Sequence, residues 1–295
     1  MSRKKRQGDK RLIVVLLSDQ HAGLKLGLLN PSTSLTDEHN EPYSPGLTTT
    51  QRYLWELYQE HIESVADLAD GSPVMLLANG DLTQGTKYPT HLSLISIHDQ
   101  IQAAIWNLKP WYEHKRINLS HARIVVGTGS HGWEGTAEAL IAEGLAGLYP
   151  KKDTRALYHA LLALTTQKGQ VIDCAHHGPF PGGRKWLKGN SASYYLKSAM
   201  LEELLDGKIP PVLYARAHYH EFLHVGPVRI RRRGKDVESR LVITPSYSGS
   251  DDYVRQATRS KRKIDHGLVA VEFEDGLRKV HPFYQELDIR TKEAL

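Results

Sequence analysis

The sequence contains a single cysteine, Cys174, so the 295-residue chain cannot form a disulfide bond within itself. Sparse cysteine is typical of proteins that work in the reducing cytoplasm, and we expect a cytoplasmic location. We expect the Cys174 thiol to be buried and unreactive. The chain also lacks any apolar stretch close to the roughly 20 residues that a membrane-spanning helix requires, so no membrane association is expected.

Internal repeats, low-complexity blocks and clear linkers are absent as well, which favours one domain. We predict a basic N-terminal segment over residues 1–11 and a single domain over residues 12–295. The basic start followed by an apolar run is similar to a signal peptide. That run covers only residues 12–17 and lacks a small-residue cleavage site, so we interpret it as a strand.

Negative charge is the scarcer sign, because 33 acidic residues face 38 Lys and Arg and leave a formal net charge of +5. This balance suits a polyanionic partner such as nucleic acid, although many soluble enzymes are mildly basic without binding one. Solvated loops explain the basic runs at residues 3–6, 229–233 and 259–263 equally well. Four positive side chains near the motifs described below are expected at solvated surface positions: Lys87, Arg184, Lys185 and Arg216.

The apolar run at residues 12–17 is too short for a helix and is rich in β-branched residues, which predicts a buried parallel strand. Its carboxyl end carries Asp19 and His21, two residues apart. Ligands of open α/β sheets bind at the carboxyl ends of strands, where a carboxylate and an imidazole can both reach one cation. An Asp in this position is also common in turns and helix caps, so the motif alone does not establish a metal site.

Four further predicted strands end in residues that can bind a metal or transfer a proton. These residues are Asp81, His131, His176 with His177, and His218 with His220. Five such strand ends in one chain are difficult to obtain by chance. Imidazole and carboxylate together favour Mn, Zn, Fe or Ni over Ca or a lone Mg. The number of ligands exceeds the need of one tetrahedral ion and fits two ions bridged by one carboxylate.

Helical periodicity predicts helices at residues 51–69, 90–108, 136–148 and 192–205, and Pro110 is expected to end the second of them. Residues 158–166 are ambiguous between helix and strand, and the chain beyond Glu221 is predicted to be mostly strands. Tyr219 could stack on a base or simply pack. The core is the expected location of four tryptophans: Trp55, Trp106, Trp111 and Trp133.

Taken in order, these motifs resemble those of the calcineurin-like metallophosphoesterases. The family pattern is Asp-x-His, Gly-Asp, Gly-Asn-His-Asp/Glu, a lone His, and Gly-His-x-His. The corresponding residues here span 12–220 and are Asp19-Gln20-His21, Gly80-Asp81, Gly129-Ser130-His131, His176 and Ala217-His218-Tyr219-His220. The long segment after the first motif, with a helix opening at Gln51, is similar to a subgroup often encoded by bacteriophages.

The resemblance implies a four-layer α/β/β/α sandwich with two mixed β-sheets. It also implies a role for each matching residue. One metal ion would be held by Asp19, His21 and His220 together with Asp81, which would bridge to the second ion. His176 and His218 would hold the second ion. His177 competes with His176 for this role and otherwise faces the substrate or supports a ligand.

The resemblance makes His131 the catalytic histidine, which donates a proton or a hydrogen bond to the leaving-group oxygen. Two departures from the family pattern concern its neighbours. Ser130 replaces an Asn that binds the second ion, so Thr128 or a water substitutes or the second ion binds weakly. Gly132 replaces the acidic residue that follows the histidine, and Glu134 is the nearest carboxylate that could orient His131.

The implied activity is hydrolysis of a phosphoester with two divalent ions, Mn²⁺ first and Zn, Fe or Ni as alternatives. A hydroxide bridging the two ions would attack phosphorus directly. The basic balance favours a phosphodiesterase that acts on nucleic acid or nucleotides. A phosphomonoesterase for small molecules or proteins is the alternative enzyme. A nucleic-acid-binding or assembly protein with a decayed metal site is the alternative of another class, and metal content distinguishes it. No feature of the sequence determines the oligomeric state.

Overall fold

The computed structural model describes residues 11–133, 135–165, 167, 169–182, 184–232, 234–249, 262–290 and 293. The basic segment predicted at 1–11 therefore lies outside the described residues except for Arg11. Glu134 lies outside them as well, together with most of the basic run at 259–263.

Thirteen strands and four α-helices are present in the described part of the chain. In chain order the strands are β1 (Leu12–Leu17), β2 (Leu35–Thr36), β3 (Pro42–Tyr43), β4 (Pro73–Asn79), β5 (Asn118–Val125), β6 (Asp153–Leu157), β7 (Ala160–Ala163), β8 (Val171–Cys174), β9 (Leu213–Arg216), β10 (Leu223–Arg232), β11 (Lys235–Ile243), β12 (Lys263–Phe273) and β13 (Leu277–Asp288). The helices are α1 (Thr49–Ala69), α2 (Ile97–Glu113), α3 (Thr136–Leu148) and α4 (Asn190–Leu205).

Two mixed sheets contain eleven of these strands. The first sheet has the order β13-β12-β1-β4-β5-β6, in which β1, β4, β5 and β6 are parallel and β12 runs antiparallel to β1. The second has the order β10-β11-β9-β8-β7, in which β11, β9 and β8 are parallel. The short strands β2 and β3 pair with each other in a separate hairpin.

The side chains of β1 alternate between two apolar cores, because successive residues of a strand point to opposite faces. Ile13 and Val15 pack in the core that includes Leu54 of α1, whereas Val14 and Leu16 pack in the core between the sheets. A third core lies between the second sheet and α4. The layers are therefore helix, sheet, sheet and helix, and the predicted four-layer α/β/β/α sandwich is confirmed.

Helix α1 begins at Thr49, two residues before its predicted start, and ends at Ala69 as predicted. The Thr48 hydroxyl accepts a hydrogen bond from the backbone N–H of Gln51, and the Gln51 side chain accepts one from the backbone N–H of Thr48. This reciprocal arrangement satisfies donors that the first helical turn leaves without partners. None of the described helices combines the length and the apolar character needed to cross a bilayer.

Helix α2 differs from its prediction at both ends, since it begins at Ile97 and continues through Pro110 to Glu113. A proline inside a helix leaves the carbonyl four residues earlier without its usual donor. Here that carbonyl belongs to Trp106 and accepts a hydrogen bond of 2.8 Å from Asn30 Nδ2. The prediction that Pro110 ends the helix is wrong because a distant side chain compensates for the missing N–H group.

Other expectations about burial had mixed outcomes. Trp111 is fully buried and Cys174 is a buried free thiol, as expected. Trp133 is 60% exposed, so its placement in the core was wrong. Arg216 is buried rather than solvated, because its guanidinium pairs with Asp173 of the neighbouring strand at 2.6 Å. The ambiguous residues 158–166 contain the short strand β7.

Candidate metal centre

Four of the predicted ligands occupy equivalent positions, each two residues beyond the carboxyl end of a parallel strand. Asp19 and Asp81 follow β1 and β4 of the first sheet, and His176 and His218 follow β8 and β9 of the second. The two sheets therefore each contribute to one site at their carboxyl edge, where open α/β sheets bind ligands.

The backbone at these strand ends adopts a conformation that non-glycine residues rarely accept. A positive φ is found at Asp19 (51°), His21 (47°), Asp81 (51°), His218 (77°) and His220 (50°). Such strain costs on the order of 1–3 kcal/mol per residue and persists where surrounding contacts enforce it. Here the N–H groups of Asp19 and His21 donate to the carbonyls of Gly80 and Asp81, both at 3.0 Å.

Gly80 allows the two sheets to approach closely. Its φ is +84°, and a Cβ atom at this position would lie 2.4 Å from Nδ1 of His176. The close approach is used for two hydrogen bonds between the sheets. His176 Nδ1 donates to the Asn79 carbonyl at 2.7 Å, and Asn79 Nδ2 donates to the Ala175 carbonyl at 3.1 Å.

The first group of candidate ligands consists of Asp19, His21 and His220. His220 Nε2 lies 3.3 Å from Asp19 Oδ1 and 3.2 Å from His21 Nε2. Burial, followed by the nearby His131 and His220, lowers the pKa of His21 to about 3, so its imidazole is neutral at pH 7. A neutral imidazole offers a lone pair to a metal ion.

The second group consists of Asp19, Asp81 and His176. His176 Nε2 lies 3.1 Å from Asp81 Oδ2 and 4.0 Å from Asp19 Oδ1. Burial favours protonated carboxyl groups, but the attraction of His220 and His176 outweighs it and lowers the pKa of Asp19 to about 2. The pKa of Asp81 is likewise lowered, mainly by His176 against the effect of burial. Both carboxylates are thus ionised at neutral pH.

The third group consists of His176, His177 and His218. Burial, followed by the nearby His176, lowers the pKa of His218 to about 4 and also lowers that of the more exposed His177. The Thr128 hydroxyl lies between the groups, since it donates to Asp81 Oδ2 at 3.0 Å and lies 3.3 Å from His218 Nδ1. Thr128 is therefore placed where the sequence analysis considered it as a substitute for the missing Asn.

The donor set fits cations. His176 Nδ1 already donates its hydrogen to Asn79, so a neutral His176 presents a lone pair from Nε2 to two carboxylates. Asp19 Oδ1 and His176 Nε2 are buried without hydrogen-bond partners among the described residues. Buried acceptors that face one another need a proton or a cation between them. Oxygen and imidazole nitrogen ligands suit Mn, Zn, Fe or Ni.

The groups overlap, which is the arrangement that two neighbouring ions would require. Asp19 belongs to the first and second groups, and His176 belongs to the second and third. The family resemblance implies that Asp81 bridges the ions, whereas Asp19 is the carboxylate that these groups share. Both carboxylates are therefore candidates for a bridging ligand.

His131 lies beside these groups and is a member of none of them. Its ring makes an edge contact with the ring of His21, at 4.8 Å between centroids. Nδ1 donates to the Gln84 carbonyl at 2.8 Å, which leaves Nε2 available to a ligand. The Thr83 hydroxyl donates to the backbone carbonyl of His131 at 2.7 Å and helps to fix this residue. The arrangement suits a group that transfers a proton without binding a metal ion.

The remaining candidates from the sequence analysis have different placements. Ser130 is exposed, and its carbonyl oxygen lies against Gly85. Glu134, considered for orienting His131, is outside the described residues. His177 lies in the third group and is exposed, so it can face either an ion or a substrate.

Glu138, which no sequence pattern indicated, is a fully buried carboxylate in the first turn of α3. A Cβ atom on Gly132 would lie 2.2 Å from its Oε2, so the loop carrying His131 rests directly on this carboxylate. Neither oxygen has a hydrogen-bond partner of good geometry among the described residues. Burial raises the pKa of Glu138 to about 7, and Asp81 adds to this effect.

No model of a protein family matches the chain, and no curated protein matches it. Among solved structures, one similar chain is the sulfate thiohydrolase SoxB of Thermus thermophilus in complex with glycerol, with 11% identity and a TM-score of 0.34 over 97% of this chain. The chain spans 58% of the length of that structure. A Thermotoga maritima protein solved by NMR in solution has 12% identity and a TM-score of 0.29, covering 93% of this chain and 99% of that one.

Proposed function

We propose that this protein is a phosphoester hydrolase that uses two divalent metal ions. We further propose that it is a cytoplasmic phosphodiesterase acting on nucleic acid or nucleotides. The observation that supports the proposal is the overlap of the ligand groups through Asp19 and His176. A single structural ion would need only about four ligands, whereas the overlapping groups offer more than four.

In this proposal one ion is held by Asp19, His21 and His220, the other is held by His176 and His218, and Asp81 would contact both. The ions would supply Lewis-acid stabilisation of phosphate oxygens and a nucleophilic water at neutral pH. Mn²⁺ is our first choice, and Zn, Fe and Ni are the alternatives.

The protein's own residues set the orientation and protonation of this site. Asn79 accepts the Nδ1 hydrogen of His176 and so directs the Nε2 lone pair at the carboxylates. Thr128 donates to both oxygens of Asp81, from its backbone N–H and from its hydroxyl. This pair of hydrogen bonds fixes the plane of the carboxylate.

His131 is the proposed general acid. Because Gln84 holds its Nδ1 hydrogen, the protonated ring can deliver the second hydrogen from Nε2 to the departing oxygen. Such a transfer typically contributes ~10²–10⁴-fold to the rate. The preference for a diester rests on the net charge of +5, which favours an extended anionic substrate.

The test compares hydrolysis of bis-p-nitrophenyl phosphate with that of p-nitrophenyl phosphate in the presence of Mn²⁺. The variants are Asp81→Asn and His131→Ala, with Asp206→Asn as the matched control because Asp206 is an exposed carboxylate at the end of α4. Cleavage of the diester that is lost in Asp81→Asn and retained in Asp206→Asn supports the proposal. Faster cleavage of the monoester favours a phosphomonoesterase. Bound ions without any hydrolysis favour the binding-protein alternative.

A further inference from the structure

A cleft of about 350 Å³ opens directly beside the third ligand group. Its walls include Tyr158 and His159 from the turn between β6 and β7, Tyr195 of α4, and Arg216 at the end of β9. His177 lines the cleft and also belongs to the ligand group, so the two spaces are continuous. The volume lies within the range of about 300–1,000 Å³ that is typical of small-molecule sites.

The guanidinium of Arg216 at the floor of the cleft is held by an ion pair and by hydrogen bonds. Arg216 is the single Lys or Arg among the described residues that line the cleft, and its charge is balanced by Asp173. Its Nη1 donates to the carbonyls of Asp173 and Ala215, and its Nη2 donates to the Tyr195 hydroxyl at 2.9 Å. A second phosphate group would therefore meet no unpaired Lys or Arg among the described residues of the cleft, which favours a neutral occupant.

Two polar groups remain available to such an occupant. The Tyr195 hydroxyl accepts from Arg216, which leaves its own hydrogen to be donated. His159 Nε2 lies 3.0 Å from Asp173 Oδ1, and because a carboxylate only accepts, the neutral ring keeps an acceptor at Nδ1. Both residues line the same cleft, and a donor together with an acceptor matches the edge of a nucleobase, which presents both kinds of group.

Tyr158 supplies the third element of recognition, a flat surface. Its side chain is 70% exposed at the mouth of the cleft. A Cβ atom on Gly135 would lie 3.0 Å from the Tyr158 hydroxyl, so the tip of the ring rests on the start of α3. A ring held this way loses little freedom when a base stacks on it, and base–aromatic stacking is a strong, sequence-tolerant interaction.

We propose that this cleft binds a nucleobase of the substrate, stacked on Tyr158 and paired at its polar edge with Tyr195 and His159. The base would belong to a nucleotide whose phosphate occupies the adjacent metal centre. The proposal rests on the proposed phosphoesterase function and adds the nucleobase as the group that is recognised.

The test measures the binding of the base directly. The wild-type protein in the presence of Mn²⁺ is titrated calorimetrically with adenosine 5′-monophosphate and with ribose 5-phosphate, which lacks the base. We expect the nucleotide to bind about tenfold more tightly, in keeping with the usual strength of stacking. Equal affinities for the two ligands overturn the proposal.

Three variants locate the preference within the cleft. Tyr158→Ala should abolish the preference for the nucleotide without weakening the binding of ribose 5-phosphate, and Tyr158→Phe should retain it. Tyr194→Ala is the matched control, because Tyr194 is 74% exposed but does not line the cleft. A preference that survives Tyr158→Ala, or that Tyr194→Ala removes equally, contradicts the proposal.

Hydrolysis of bis-p-nitrophenyl phosphate by the same wild-type preparation separates the two proposals. Hydrolysis without a preference for the nucleotide means that the cleft proposal is wrong and the phosphoesterase proposal stands. The protein could instead show a preference for the nucleotide that depends on Tyr158 and hydrolyse neither bis-p-nitrophenyl phosphate nor p-nitrophenyl phosphate. That result supports the base-binding cleft and contradicts the phosphoesterase proposal.

Discussion

Nε2 of His176 lies 3.1 Å from Oδ2 of Asp81, although the two residues follow strands of different sheets. The other nitrogen of His176 donates to Asn79, so the imidazole can satisfy Asp81 only when it is doubly protonated. Burial opposes that charge, but Asp81 and Asp19 raise the pKa of His176 to about 9. In the absence of an ion, a buried proton therefore occupies the position that a cation fits.

Removing the carboxylate of Asp81 should weaken ion binding. We expect the wild type to retain about two equivalents of Mn²⁺ after equilibrium dialysis and Asp81→Asn to retain fewer than one. Because an ion that binds only the folded state stabilises it, ion at 100-fold above Kd should add about 2.7 kcal/mol to wild-type stability. Thermal unfolding with and without Mn²⁺ measures this gain, and Asp206→Asn should keep it. An equal gain in Asp81→Asn contradicts the assignment.

Replacement of His131 should affect turnover and leave ion binding intact. For His131→Ala we expect kcat to fall by ~10²–10⁴-fold, the usual contribution of a general acid. Manganese content should match that of the wild type because His131 belongs to none of the ligand groups. His98→Ala is the control, since His98 is exposed on α2. Loss of bound ions in His131→Ala would make this residue a ligand instead.

Glu138 should make stability fall as pH rises. Its pKa is raised by burial to about 7, above the ordinary value of 4.5, so the folded state holds a proton that the unfolded state releases between these values. The contribution of protonated Glu138 to the free energy of unfolding is therefore fully present below about pH 4.5. It is lost as the pH rises to about 7. Glu138→Gln should remove this loss and stabilise the protein at pH 8 by about 1–3 kcal/mol relative to wild type, with little gain at pH 4.5.

Urea unfolding of both proteins at the two pH values measures the difference. Glu138→Gln should also keep the loop from Gly127 to Gly132 in place, because the amide has the same shape as the protonated carboxyl. A gain of the same size at both pH values would show that relief of strain, rather than ionisation, is responsible.

His61 should produce the opposite dependence on pH. Its Nδ1 lies 2.7 Å from the Tyr247 hydroxyl, and burial lowers the pKa of His61 to about 4. His61 binds a proton more tightly in the unfolded state. The contribution of its neutral ring to the free energy of unfolding is therefore fully present above pH 6.5 and is lost as the pH falls towards 4. His61→Gln should reduce the loss between pH 7 and pH 4.5 by on the order of 1–2 kcal/mol. Urea unfolding midpoints at the two pH values measure this loss of stability. A loss in His61→Gln equal to that of the wild type contradicts the prediction. His98→Gln is the control, because His98 is exposed.

The positions of the candidate ligands could be predicted because each follows a short apolar run. Asp19 and Asp81 follow runs of buried β-branched and aliphatic residues, and their distance from the strand end is a local property. Glu138 could not be found in this way. An acidic residue in the first turn of a helix is ordinary on electrostatic grounds, and only the packing of the loop onto it reveals its burial.

Two other errors have the same origin. Pro110 lies inside a helix because Asn30, far away in the sequence, donates to the carbonyl that the proline leaves free. Arg216 is buried because its partner Asp173 is on the adjacent strand of the second sheet. Both depend on which segments become neighbours in the folded chain, and a pattern within one segment carries no information on that.

The apolar layer between the two sheets also acts as a spacer for the chemistry at their edge. Val14 and Leu16 fill it from the first sheet, and Cys174 and Val242 fill it from the second. Because protein interiors are close-packed and transmit strain, the thickness of this filling sets the gap between Asp81 on one side and His176 on the other. A bulkier side chain at any of these four buried positions would increase the distance between the candidate ligands of the two sheets. Residues that are not part of the site therefore determine its geometry.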